Sequence, residues 1–294
     1  MTATPTTLPH SLIRSRTDAR RALVDRFFRG LCLVAAVVGI VPLFAVIGFV
    51  VVNGAGGLNL DLLTKAPKAS GVGGGAVASI LGSLQLVSVA TVIAVPIGVL
   101  AAVYTSEFGG RRSAAIIRFS ADVMVGIPSI LIGVFVFTFL VLPFHQFNAF
   151  AGSAALAFLM VPVVMRTTEE IIRLIPNSLR EASLALGVPA WRTILSIVLR
   201  TGLGGILTGI MLAVARAAGE TAPLLFTALG SRLVNVGSFD KPMDALPMFV
   251  FINARQPISA LNEQAWGAAL LLLLFVLTIN ILVRIRTFSG RRPR

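Results

Sequence analysis

The stretch AVASILGSLQLVSVATVIAVPIGVLAAVY, residues 76–104, contains no charged side chain. A helix needs about 20 mostly apolar residues to cross the hydrocarbon core of a bilayer, so this stretch predicts a transmembrane helix. The chain around it has 294 residues, of which 56% are hydrophobic and 13% charged, and a mean hydropathy of +0.92. Soluble domains carry about 25% charged residues. With Cys32 as the one cysteine, this composition excludes an ordinary soluble enzyme, a disordered protein and a disulfide-stapled secreted domain.

Six runs in the chain are long and apolar enough to cross a membrane. They are Leu31–Val52, a run within Ala76–Tyr104, Val123–Leu142, Phe147–Met165, Thr201–Ala218 and Ala265–Val283. Four of them contain a proline (Pro42, Pro96, Pro128 and Pro162), which membrane helices tolerate because neighbouring groups satisfy the freed carbonyls. The sequence therefore predicts an all-α integral membrane protein with six transmembrane helices.

The positive charge is distributed unevenly between the two sides of the predicted spans. The net charge is +13, and nineteen of the 25 lysines and arginines fall in the two tails and the second and fourth connections. Five fall on the opposite side, and Arg216 lies within the fifth span. Cytoplasmic loops carry an excess of basic residues, so both termini are predicted to be cytoplasmic. The basic excess is thus explained by topology and lipid contact, and we predict no nucleic-acid binding.

The fourth connection, residues 166–200, contains the signals of a short separate helix. Pro176 predicts the end of the preceding helix. Ser178 and Glu181 form a Ser-x-x-Glu capping box, which predicts the start of a new one. Gly187 predicts its end, after about two turns.

One face of this predicted helix is apolar to small, because Leu179, Ala182, Ser183 and Leu186 follow the i, i+3, i+4, i+7 spacing. A helix this short is not stable alone in water, so it must dock. Two interpretations are equally favoured by spacing: docking onto the protein's own cytoplasmic surface, and insertion into a groove of a partner.

The same segment resembles the EAA loop of ABC importer permeases. The matching pattern is Glu181-Ala182-Ser183-x-x-x-Gly187, followed by Ile197-x-Leu199. Two positions depart from the family, since Ser183 stands where alanine is usual and Arg200 where proline is usual. In that family the short helix couples the membrane subunit to a nucleotide-binding subunit. The resemblance therefore implies a coupling role for Leu179, Glu181, Ala182, Ser183, Leu186 and Gly187.

Further strings narrow the resemblance. They are Gly71–Gly75 (GVGGG), Val95–Gly98 (VPIG), Pro128–Gly133 (PSILIG), Arg166–Glu170 (RTTEE) and Ala218–Leu225 (AGETAPLL). Together they resemble the PstA-type permeases of bacterial phosphate ABC importers, over about residues 71–283. This resemblance implies the type I permease fold, a bacterial inner-membrane location and half of a pathway for inorganic phosphate. It also implies a PstC-type permease, two PstB-type ATPase chains and a PstS-type periplasmic phosphate-binding protein as partners.

The sequence thus divides into four parts. Residues 1–29 form a basic cytoplasmic tail, and residues 30–70 form the first transmembrane helix with an outer loop. Residues 71–283 form the permease domain, with its coupling loop at 166–200, and residues 284–294 form a second basic tail.

Arg216 and Glu220 lie four residues apart near the outer end of the fifth span, on a stripe of small residues. A charge inside a membrane usually faces protein or water, and small residues let another helix approach. One interpretation is a structural ion pair. The other is an anion pathway lined by Arg216, with Glu220 preventing tight trapping; the resemblance adds Thr221 to this set.

Other features exclude alternatives. The glycine-rich segment before the second span lacks the lysine of a P-loop, so ATP hydrolysis is expected on a partner chain. His10 and His145 have no companions for a metal site, and no cofactor is predicted. Arg118 and Asp122 are predicted to pair at the membrane edge. The rival functions are an ABC permease for molybdate, sulfate or phosphonate, a secondary anion transporter with inverted repeats, and a membrane enzyme.

Overall fold

The computed structural model describes residues 16–70 and 72–289, which are almost entirely helical. The helices are α1 (Arg16–Gly57), α2 (Leu60–Thr64), α3 (Val77–Val103), α4 (Arg111–Gly126), α5 (Ser129–Val136), α6 (Ala149–Leu174), α7 (Asn177–Ala185), α8 (Ala190–Thr193), α9 (Leu199–Ala218), α10 (Ala222–Thr227), α11 (Leu246–Asn253) and α12 (Ser259–Ser289). Three of them continue into π-helical turns: α3 into Tyr104–Phe108, α5 into Phe137–Val141, and α8 into Ile194–Val198.

The chain divides into two units, residues 1–51 and residues 52–294. In the first unit the described residues form the greater part of α1, an unbroken helix that contains Pro42. No residue in its apolar window is buried by this chain. The first fifteen residues of the predicted basic tail, and the last five of the other tail, lie outside the described residues.

Five helical segments among the described residues are long and apolar enough to cross a membrane, and a sixth is a bent pair. Pro96 and Pro162 lie inside continuous helices, as predicted. The prediction of one continuous helix over Val123–Leu142 is wrong. This segment contains the junction of α4 and α5, where the chain bends by 104°. Pro128 has no N–H and forces Ile127 into an extended conformation, at φ −71° and ψ 129°. The prediction of six spans is met when this bent pair counts as one.

The core of the second unit forms where α3 packs along α6. Small and apolar residues of α3 recur every fourth position on the buried side, as one stripe: Ala78, Gly82, Leu86, Ala90, Ala94, Gly98 and Ala102. Gly98 marks the closest approach, because a β-carbon there would lie 2.8 Å from Cβ of Val164 in α6. Small residues let helix backbones come this close, and packing of this kind drives helix association in membranes.

At one end of this helix pair, three arginines surround the carboxylate of Glu169, which is 2% exposed. Glu169 accepts hydrogen bonds from Arg118 Nε, from Arg173 Nη2 at 2.8 Å and from Arg166 Nη1 at 3.3 Å. Arg118 also donates to the carbonyl oxygen of Thr105 at 2.8 Å. This arginine cluster (Arg118, Arg166, Arg173 and Glu169) fixes α4 and the end of α3 to α6.

The predicted pair of Arg118 with Asp122 is wrong. Arg118 turns to Glu169 instead, and Asp122 accepts a hydrogen bond from Arg166 at 2.7 Å. A buried carboxylate without a partner costs much more free energy than one that water can reach. Asp122 is 52% exposed and Glu169 2%, so pairing the buried group with Arg118 is the more stable arrangement.

We predict that Glu169→Gln lowers the free energy of unfolding by about 1.5–3 kcal/mol, the range for a hydrogen bond to a charged group. The matched control is Glu170→Gln, because Glu170 is the exposed neighbour on the same helix. Thermal unfolding of the two purified variants in detergent measures the difference. Equal melting temperatures would show that the arginine cluster does not hold α4 to α6.

Candidate functional site

The short helix α7 begins two residues earlier than the predicted N-cap at Ser178 implies. Pro176 occupies the N-cap position, and no side chain caps the helix. Ser178 is therefore the second residue of α7, and the predicted capping box with Glu181 is wrong. The Asn177 side chain accepts a hydrogen bond from Arg180 Nη1 at 3.2 Å, so the first turn is held through Arg180.

The other end of α7 confirms the predicted stop at Gly187. This residue has a φ of +75°, a conformation that glycine adopts without strain. Its N–H donates to the carbonyl oxygen of Leu184 at 2.9 Å, and the N–H of Val188 donates to that of Ser183 at 3.2 Å. These two bonds form a Schellman motif. It turns the chain sharply towards α8.

Arg180 fastens α7 to the rest of the chain. Its guanidinium donates to both oxygens of Glu107, with the shortest distance 2.7 Å from Nη2 to Oε1. It also donates to the carbonyl oxygens of Ile172 at 3.0 Å and Ile175 at 2.7 Å. Glu107 lies in the π-helical turn that follows α3. One side chain thus joins α7 to the ends of both α3 and α6.

A second contact between α7 and the rest of the chain is a hydrogen bond about one turn further along the helix. The hydroxyls of Ser183 and Thr193 are 2.8 Å apart, and both residues are buried. The predicted docking face is therefore divided, because Ser183 docks on the protein's own chain whereas Leu179, Ala182 and Leu186 do not. The departure from alanine at this position supplies a hydrogen bond that alanine could not make.

The other three residues of the predicted docking face are uncovered within this chain. Leu179 and Ala182 are exposed, and Leu186 is 84% exposed. Trp191, just beyond the Schellman turn, is 58% exposed. We call these four residues the outer face of α7. The helix thus docks on its own chain through Arg180 and Ser183 and presents apolar side chains on its other side.

Arg216 and Glu220 lie at the other end of α9, the end remote from α7. Arg216 Nε is 3.8 Å from Glu220 Oε1, so the two form an ion pair within the chain. The Glu220 side chain is 19% exposed and that of Arg216 is 47% exposed. Part of the Arg216 side chain therefore remains exposed while it is paired.

The small-residue stripe of α9 packs against α6 of the same chain. A β-carbon at Gly209 would lie 2.6 Å from Cβ of Thr167, and one at Gly205 would lie 2.5 Å from Cδ1 of Ile171. Arg216 lies at the edge of this contact. The stripe therefore serves a close helix contact within the subunit.

Two of the segments that resemble PstA-type permeases, Pro128–Gly133 and Ala218–Leu225, contact each other, and the second of them follows Arg216 in the chain. The chain breaks between α9 and α10 at Gly219–Thr221, and Pro223 in the next turn lies against Gly133 of α5. A β-carbon at Gly133 would come within 2.7 Å of Cα of Pro223. Thr221 is half-buried at this break. The structure thus brings Arg216, Glu220 and Thr221 together at one end of the helix bundle.

Sequence reasoning missed Glu107 and Glu169. Arg166, Glu169 and Arg173 are spaced by three and four residues, which is the spacing of neighbours on one helix face and could have indicated the cluster. Glu107 is 73 residues from Arg180, so no local pattern predicts their pairing. Among the described residues, no group of three or more metal-ligating His, Cys, Asp or Glu side chains occurs.

Relatives of known name cover most of the chain. The phosphate transport system permease protein PstA of Haemophilus influenzae is 40% identical over 89% of this chain and 93% of its own length. That of Yersinia pestis is 41% identical over 92% of each chain. PstA 1 of Mycobacterium tuberculosis is 43% identical over 75% of this chain and 72% of its own length.

Solved structures agree with the fold. The inward-facing MetNI methionine ABC transporter superposes with a TM-score of 0.58 at 18% identity, over 74% of this chain and 96% of that chain. An amino acid ABC transporter with histidines gives 0.53 at 15% identity, over 72% and 92%. This likeness is the type I fold of ABC importer permeases.

A family profile covers more than half of the chain. The profile described as binding-protein-dependent transport system inner membrane component matches residues 94–287, which include α7, the arginine cluster and the Arg216–Glu220 pair. This match and the identity to the relatives above establish the family of the chain, and the apolar helices of the described residues agree with it. The chain belongs to the inner-membrane components of binding-protein-dependent transport systems, a family of multi-pass permease subunits.

Proposed function

We propose that this chain is the permease subunit of an ATP-driven importer of inorganic phosphate and forms half of its translocation pathway. The observation that carries the proposal is the identity of about 40% to PstA phosphate permeases along nearly the whole chain. The chain itself is not an enzyme, and ATP hydrolysis belongs to a separate subunit. The proposed partners are a PstC-type permease, two PstB-type ATPase chains and a PstS-type phosphate-binding protein.

The bias of basic residues supports an orientation with both termini in the cytoplasm. In this orientation α7 and the arginine cluster face the cytoplasm, where the ATPase chains are. Arg216, Glu220 and Thr221 then lie towards the outer side, where a binding protein delivers its ligand. The two regions occupy opposite ends of α9, as alternating access between two sides requires.

The outer face of α7 is the proposed contact with the ATPase. Its exposed apolar residues fit a groove in a partner, which is the usual way that a short amphipathic helix is recognised. Glu181 and Gly187 border this face, the first as an exposed charge and the second as the turn that ends the helix. Ser183 acts from the other side by holding α7 to its own chain.

Arg180 is the proposed link between the ATPase and the pathway. Coupling between distant sites travels through packed elements and hydrogen-bond networks that move as units. Since Arg180 binds Glu107 after α3 and two carbonyls at the end of α6, a displacement of α7 pulls directly on both helices. These are the two helices whose close packing forms the core.

Arg216 is the proposed contact for the anion at the outer end. The planar guanidinium matches the oxygens of phosphate, and nearly half of the side chain is accessible. Conduction also requires release. Glu220 competes with the anion for the same guanidinium, so it weakens binding enough for the ion to pass.

The substrate is tested by uptake of radiolabelled phosphate into cells that lack other phosphate importers and express this chain with its partner subunits. We predict ATP-dependent phosphate uptake that equimolar sulfate or molybdate does not reduce. Preferential uptake of another oxyanion would contradict the proposed substrate. Uptake that persists in ATP-depleted vesicles under a pH gradient would indicate a secondary transporter.

The link is tested with Arg180→Gln and Glu107→Gln. Each variant removes charge-assisted hydrogen bonds of the kind that contribute about 1.5–3 kcal/mol, so we expect each to lower phosphate uptake about tenfold while the partner's ATPase activity remains. The double variant should be no worse than the worse single one, because both lose the same interaction.

The matched control for the link is Arg112→Gln, since Arg112 is an exposed arginine of α4 that makes no ion pair with any described residue. It should transport like the unmodified protein. Melting temperatures of all variants separate lost coupling from lost folding. Fully additive losses, or normal uptake in both single variants, would contradict the proposed role of Arg180.

A further inference from the structure

A cleft with a mixed polar and apolar lining lies between the segment after α10, the helices α11 and α12, and the segment before α3, on the outer side in the proposed orientation. Its volume is about 220 Å³, which is enough for several water molecules. Its polar lining comes from distant parts of the chain and consists of Lys68, Ser231, Arg232, Asp244 and Asn253. Neither Arg216 nor Glu220 lines it.

Asp244 is the buried acid of this cleft and is 8% exposed. Its Oδ2 accepts a hydrogen bond from the Ser79 hydroxyl of α3 at 2.5 Å. Its Oδ1 is buried and has no hydrogen-bond partner among the described residues. Gly230 lines the cleft beside this oxygen, and a β-carbon there would lie 3.3 Å from Oδ1. Oδ1 is therefore an unpaired acceptor that lies directly behind the cleft wall at Gly230, and a ligand reaches it when this wall gives way slightly.

Burial raises the pKa of Asp244 to about 6, and the hydrogen bond from the Ser79 hydroxyl partly opposes that rise. At neutral pH the group is thus mainly a carboxylate. A buried carboxylate oxygen without a donor costs free energy. A ligand that donates a hydrogen bond to Oδ1 would remove this cost.

The same cleft also carries positive charge. Lys68 and Arg232 line it and are exposed, and neither forms an ion pair within the part of the chain that the structure describes. A small cation would satisfy Asp244 but would be repelled by both of these side chains. A fully deprotonated anion would satisfy them but would place its lone pairs against Oδ1.

We propose that this cleft binds a small oxyanion that carries at least one hydroxyl hydrogen. The hydroxyl donates to Asp244 Oδ1, and the charged oxygens lie next to Lys68 and Arg232. Hydrogen phosphate has both features and sulfate lacks the hydrogen. The choice of phosphate as ligand rests on the proposed function, whereas the chemical class follows from the side chains of the cleft.

The test is equilibrium binding of radiolabelled inorganic phosphate to the full chain in lipid nanodiscs, with sulfate as competitor. For the unmodified protein we expect sulfate to compete at least about tenfold more weakly than phosphate, because it leaves Oδ1 without a donor. Asp244→Asn should abolish this preference, since an amide can donate to either anion. Lys68→Gln and Arg232→Gln should weaken binding of both anions, each about fivefold.

Matched controls are Asp240→Asn and Lys241→Gln, since both residues are exposed on the same segment but neither lines the cleft. They should bind like the unmodified protein. The variants at exposed Lys68 and Arg232 keep the test decisive if Asp244→Asn fails to fold. Absence of phosphate binding, equal competition by sulfate, or binding that none of the three cleft variants alters would overturn the proposal.

The binding assay and the uptake assay fail independently. Phosphate uptake by cells together with unaltered binding in the cleft variants would leave the proposed function standing and overturn the cleft. Selective binding in nanodiscs without any phosphate uptake would leave the cleft standing as an oxyanion site and overturn the proposed function.

Discussion

A carboxylate removed from water must be paired, and Glu169 meets this requirement with three arginines. The pairing fixes where α4 and the end of α3 lie on α6. It also determines what can lie beside them, because the last carbonyls of α6 face Arg180 of α7. The position of α7 therefore depends on a charge cluster that is not part of α7.

Helix α3 reaches both regions to which function is assigned. Near its start, Ser79 binds Asp244, and Ser83 accepts a hydrogen bond from the N–H of Leu246. Beyond its end, Glu107 binds Arg180. Between these points its stripe of buried residues faces the core, and Gly98 packs against Val164 of α6. A rigid helix with polar attachments at both ends is suited to transmit a displacement from one side of a membrane to the other.

Apolar length and single special residues were enough to predict much of this fold. Charge-free runs predict the spans, and Gly187 predicts the end of α7 through its positive φ. Pro128 shows the limit, since the same residue type is accommodated in α3 and α6 but bends the chain between α4 and α5. The residue type alone therefore does not predict whether a proline is accommodated within a helix or ends it.

The parts of the candidate site that depend on the spacing of residues within one helix could be predicted from the sequence. The parts that depend on contacts between distant residues could not. The sequence places Leu179 and Leu186 on one face of α7, and Arg216 one turn from Glu220, because helical spacing fixes these relations. Arg118 was paired with the wrong carboxylate, since its spacing from Asp122 is favourable and the burial of Glu169 cannot be read from sequence. The hydrogen bonds of Arg180 with Glu107 and of Ser79 with Asp244 join residues that are 73 and 165 positions apart in the sequence. No local pattern predicts pairs this distant.

We propose that an ATPase subunit acts on this permease at the outer face of α7. Site-directed crosslinking tests it directly, with Cys32 replaced by serine and a single cysteine introduced by Leu186→Cys in membranes that contain the complete transporter. We predict a crosslink to the ATPase chain whose yield changes when ATP is added, and none from a cysteine introduced by Asp240→Cys. Continued phosphate uptake with no crosslink from position 186 would contradict it.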